Sequence, residues 1–111
     1  MTIDMNIKTW NIEKLTGYHP ITTFFEDFSI ADRFGDAAVK DTYQRSLREW
    51  EHDYRYITEL VMVLNWKLWQ HYEAGNIHLA SVYGNLWVQA ADHAENTLHG
   101  EELRYYYITT D

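Results

Sequence analysis

The segment ELVMVLNWKLWQ, residues 59–70, constrains the fold most strongly, because between Leu60 and Trp69 only Asn65 and Lys67 are polar. A surface helix shows one apolar stripe and one polar face, whereas a helix apolar on every side has to be covered on every side. The run is about half as long as the roughly 20 apolar residues of a membrane span. A protein environment, not a bilayer, is therefore expected around it.

The rest of the chain reads as helix. Thr23 with Glu26 three residues later forms a capping box, and Gly35 fits the residue just past a helix end, which predicts a short helix over 24–34. From Asp36 to Gly75 neither glycine nor proline appears. Val39, Tyr43, Leu47, Trp50, Tyr54, Ile57, Val61, Leu64, Leu68 and Tyr72 recur there at steps of three and four. That spacing predicts one long helix over 37–74, about 57 Å from end to end; EHDYRY, residues 51–56, is the weakest point of the pattern. Ala74, Gly75 and Asn76 then make a tight turn with a glycine past one helix and an N-capping asparagine before the next. A third helix over 77–98 returns antiparallel, and 100–111 forms a turn and tail. Residues 1–21, where Ile3, Met5 and Ile7 alternate with polar residues, read as an N-terminal arm. The expectation is one all-α domain over 1–111: a short helix, one long helix and a returning helix that together form a helical hairpin.

If the turn is centred between Gly75 and Asn76, Leu64 lies level with Trp87 and Leu68 with Tyr83. The first helix then covers the first half of the long helix and the third covers one side of its second half. Met62, Val63, Trp66 and Trp69 point away from that contact. Such a patch usually marks an interface, so self-association into a helical bundle is expected. The alternative is that the arm, with Trp10 and Ile12, wraps the same face. Asn65 reads either as a polar residue fixing register or as a solvent-facing amide.

Nine Lys and Arg against 17 Asp and Glu give a net charge of −8. This disfavours direct binding to nucleic-acid phosphates and favours a basic protein partner, or serves solubility alone. Most of that charge falls in segments 23–36, 37–53 and 100–111. In a straight hairpin these gather at one end, making Glu26, Asp27, Asp32, Asp36, Glu101 and Glu102 a candidate partner-binding surface. Cysteine is absent, which removes thiolate metal sites and nucleophiles, and the N-terminus lacks a secretory signal pattern; a cytoplasmic location is expected.

Catalytic templates such as a Gly-rich phosphate loop, GxSxG or HExxH are missing, so the chain reads as a non-enzyme without cofactor. Glu49 and His52 form a single Glu-x-x-His, and the hairpin register sets His52 level with His99 and Glu49 with Glu102. These are weak zinc candidates by type, without a compact spacing motif, and no tight metal site is expected. Tyr105, Tyr106 and Tyr107 suit a terminal turn that packs two rings on the long helix and exposes one. His71 and His78 flank the turn and take no role.

The segments TTFFEDFSIADRFG, DTYQRSLREWEHDYRYITELVMVLNWKLWQHYE and GEELRYYYITTD resemble a group of small helical proteins encoded by phages and other mobile elements of gut bacteria. The resemblance spans residues 22–111 and brings no functional residues with it. It implies an accessory or anti-defence factor, a class that includes inhibitors of CRISPR effector nucleases. Two other classes stay open: a purely structural oligomeric accessory protein, and a metal-binding bundle using His52 and His99.

Overall fold

The computed structural model describes residues 19–50 and 52–110; most of the expected arm, residues 1–18, lies outside them. The described residues form five α-helices and no strand: α1 His19–Ala31, α2 Asp36–Trp50, α3 Tyr54–Glu73, α4 Ile77–Thr97 and α5 Glu101–Thr110. None is long and apolar enough to cross a membrane.

The single long helix expected over 37–74 is two helices, α2 and α3. Asp53 is the local cause. Its backbone is extended (φ −111°, ψ 109°) and its carboxylate accepts from the backbone N–H groups of Arg55 and Tyr56 at 3.0 and 3.4 Å. An Asp that satisfies the free donors of a new first turn competes directly with continuation of the old helix. Trp50 and Tyr56 pack edge to face across the bend, ring centroids 4.0 Å apart. The described residues accordingly extend 38 Å along their longest axis, well short of the straight rod.

Smaller boundaries move as well. Helix α1 starts at His19 rather than after Thr23, so the Thr23–Glu26 pair lies inside a helix and is not its cap. Pro20 stands in the first turn, where a missing N–H breaks no helical hydrogen bond. Gly75 does take the left-handed conformation (φ +81°) past α3, with the Asn76 N–H donating to the His71 carbonyl at 2.8 Å. Asn76 occupies the N-cap position of α4 but makes no side-chain cap bond. The tail is helical almost to its end as α5.

Helix α3 is the centre of the packing. Ile57 through Asn65 are all buried, nine consecutive positions that pass two and a half times around the helix axis. Phe25 of α1 stacks on Trp66 at 4.2 Å. Tyr105 of α5 meets Tyr54 edge to face at 5.2 Å. On α4, Gly84 sits against Leu68, where an added Cβ would lie 3.2 Å from Leu68 Cδ1; nearer the turn, Ile77 and Ala80 share a cavity with Tyr72. Each step back along α3 thus meets a step forward along α4.

The sequence places Met62 and Val63 on a face that another copy would cover. In the structure they are 2% and 0% exposed within one chain, and Trp66 and Trp69 are half-buried. Helices α1 and α5 lie on that face, so exposure of Met62 and Val63 no longer argues for self-association.

The bend gives a discriminating prediction. Asp53→Ala should lower stability by about 1 kcal/mol in urea denaturation, the worth of an N-cap. A continuous helix would instead gain a few tenths of a kcal/mol from alanine's higher helix propensity.

Candidate functional site

Two of the polar exceptions in the central helix mark the two most specific environments of the molecule. Lys67 is 2% exposed. Its ammonium lies 2.6 Å from Asp32 Oδ2 and donates to Gln70 Oε1 at 2.8 Å and Ser29 Oγ at 3.3 Å, with the rings of Phe25 and Tyr83 at 5.0 and 5.7 Å from it. All three of its protons have an acceptor, the condition for holding a charge out of water.

Asp32 is the hub of this cluster. The Tyr83 hydroxyl donates to its Oδ1 at 2.5 Å, and His71 Nε2 lies 2.9 Å from its Oδ2. The other ring nitrogen of His71, Nδ1, lies 3.4 Å from Asn76 Nδ2. Burial, then the hydrogen bond to Asp32, pushes the Tyr83 phenol well above its ordinary pKa, keeping it a neutral donor. Helices α1, α3 and α4 are tied together here at one carboxylate. With Lys67, Asp32 and Tyr83 paired to one another across three helices, the cluster acts as a structural lock.

Glu59, a little over two turns from Lys67 toward the start of α3, is its opposite. It is 0% exposed and neither carboxyl oxygen has a hydrogen-bond partner. Burial, followed by the nearby Asp53 carboxylate, pushes its pKa up to about 7; the proton supplies what no neighbour does.

The expected acidic end does not assemble. It requires a straight long helix, and the break at Asp53 redirects α1 and α2. Asp32 and Asp36 sit against His71 and His78, at the α3–α4 turn. Glu101 and Glu102 open α5 near Tyr54, about 25 Å away along α3. Asp32 is withdrawn into the Lys67 cluster, and Asp36 lies 2.5 Å from His78 Nε2. Glu26, Asp27, Glu101 and Glu102 are exposed. The two histidines given no role in the sequence are the partners of these aspartates. Nor does the structure gather Glu49, His52, His99 and Glu102, which were level only in the straight register: among the described residues, no group of three or more His, Asp or Glu is placed to hold a metal ion.

Asn65 marks the second environment. It lines a cavity of about 410 Å³ between α3, α4 and α5, with Trp69, Trp87, Glu95, Tyr106 and Tyr107. Its side-chain oxygen is buried without a hydrogen-bond partner. On the same two helices, α4 and α5, Trp87, Val88, Tyr107 and Ile108 are exposed. A second exposed group, Ile30, Phe34, Tyr72 and Ile77, lies at the turn end. The tyrosine run divides as its spacing suggests: Tyr106 buried, Tyr105 half-buried and Tyr107 exposed. Comparison of the chain with protein-family models, curated proteins and solved structures gives no match.

Two predictions follow from the buried charges. Asp32→Asn leaves the Lys67 ammonium without its counter-charge and should destabilise by about 3–5 kcal/mol; adding Lys67→Met should recover much of that loss in guanidinium denaturation. For Glu59, the unfolded chain releases its proton near the ordinary 4.5 while the folded chain holds it to about 7. Stability is then full below the unfolded value and falls as pH rises through this window, by about 3 kcal/mol once it is passed. Glu59→Gln should flatten that part of the stability profile between pH 5 and pH 8.

Proposed function

We propose that this chain is a small acidic, non-enzymatic binding protein that docks a basic protein surface on the face formed by α4 and α5. One observation carries the reading: Trp87, Val88, Tyr107 and Ile108 are exposed on helices that also expose Asp92, Glu95, Glu101 and Glu102. Exposed aromatic residues are the usual anchors of interfaces, and clustered carboxylates steer a basic partner and set its salt sensitivity. Arg104 is the one Lys or Arg among residues 77–110, and its guanidinium leans toward Glu101 at 3.9 Å.

In this reading α3 and α4 form the antiparallel hairpin that holds the face rigid, while the Lys67 cluster fixes α1 to it. The resemblance to small proteins of mobile elements supports a defence effector as the target class. There the docked surface is one that otherwise holds nucleic-acid phosphates, and the chain acts as an inhibitor by occupying it. A carboxylate row suits such a surface because its Lys and Arg are already arranged for negative charge.

Affinity capture from a bacterial lysate tests the reading. The wild-type chain should retain a basic protein that elutes as salt rises. Trp87→Ala with Tyr107→Ala should reduce its recovery at least tenfold while the helical circular-dichroism signal is unchanged; Glu26→Gln with Asp27→Asn, on α1, should leave recovery intact. Equal recovery with the Trp87 and Tyr107 variant would remove the α4–α5 face from the proposal.

A further inference from the structure

The cavity behind Trp87 and Tyr107 has features that a packing gap between helices does not need. Its volume, about 410 Å³, falls in the range of small-molecule sites and well above the roughly 150 Å³ that a single benzene-sized ligand fills. Four aromatic side chains reach it from three helices: Trp69 from α3, Trp87 from α4, Tyr106 and Tyr107 from α5. Among its lining residues the single charged side chain is Glu95, and none is Lys, Arg or His.

Asn65 adds an independent constraint. It is 8% exposed, stands on the central helix, and its Oδ1 has no hydrogen-bond partner. An acceptor left unpaired in a buried site is costly, and a ligand that brings an N–H restores the missing bond. An anion entering the same cavity would meet Glu95 with no cation to offset it. A pure hydrocarbon would leave Asn65 as it is. The surroundings are electronegative as well: after burial itself, the Glu95 carboxylate, the Tyr107 phenol and the Asp92 carboxylate help push the Tyr106 phenol up to about 12.

We propose that this cavity is a binding site for a small alkyl amine carrying a planar aromatic ring, the ring held among the tryptophan and tyrosine rings and the protonated nitrogen directed to Glu95 and the Asn65 amide. Ring stacking and cation–π attraction favour such a ligand over an aliphatic amine of equal size. This site does not depend on the protein-docking reading, since the ligand is held by the cavity's own lining residues and needs no partner protein.

Isothermal titration calorimetry of the full chain tests it with three probes that share one ring: tryptamine, indole and indole-3-propionate. Tryptamine should bind saturably at one site, indole at least fivefold more weakly, and indole-3-propionate most weakly of all. Glu95→Gln, an exposed change, should weaken tryptamine about tenfold and leave indole unaffected; Asn65→Leu should weaken tryptamine about tenfold while circular dichroism stays that of the wild type. If Asn65→Leu does not fold, Trp87→Ala at the rim takes its place and should abolish tryptamine binding. Absence of saturable tryptamine binding at millimolar concentration, equal affinity for indole-3-propionate, or unchanged affinity in the Glu95→Gln variant would each overturn the proposal.

Discussion

A helix that is apolar around its whole circumference cannot exist in water unless something surrounds it, and most of this structure is the consequence of surrounding α3. From Ile57 to Asn65 every position is buried, so neighbours are required on all sides. A straight helix over 37–74 could not supply one of them, because its first half would point away from its second. The break at Asp53 lets the earlier part of the chain return alongside α3, and the turns at Gly35 and Gly75 bring in α1 and α4. The same enclosure determines how polar residues on α3 must behave. Lys67, once inside, needs Asp32, Gln70 and Ser29 around it; Glu59, with no partner, keeps its proton toward neutral pH.

Much of this was legible in the residues. The all-helical class, the Gly75 turn, the span of α4 and the division of the tyrosine run follow from spacing and from glycine's tolerance of positive φ. Asn65 and Lys67 stood out as the polar interruptions of the apolar run, and they are the residues around which the cavity and the ion cluster are built. What spacing hid is equally particular. The three- and four-residue rhythm of apolar side chains carries on through Trp50 and Tyr54, so spacing marks residues 51–56 only as the weakest point of a long helix, and it is the cap made by Asp53 that shows the break. The Thr23–Glu26 pattern has the letters of a capping box in the middle of a helix.

Long-range pairing was the other gap. Asp32 and Lys67 are separated by 35 positions, and no local pattern joins them. The acidic end was a sum of charges over a straight rod; once α2 bends back, Asp32 and Asp36 move to the turn while Glu101 and Glu102 stay at the far end. Self-association rested on the same rod, which left Met62 and Val63 uncovered. The surface that replaces these expectations, on α4 and α5, combines exposed rings with carboxylates and encloses a cavity with one unpaired amide oxygen.

The enclosure of α3 by its own chain is measured most directly by native-state hydrogen exchange at two protein concentrations tenfold apart. Amides of residues 60–67 should be the slowest in the molecule, exchanging only through global unfolding, with the same protection at both concentrations. Protection of that segment that falls on dilution would show that another copy, not α1 and α5, completes the covering of the central helix.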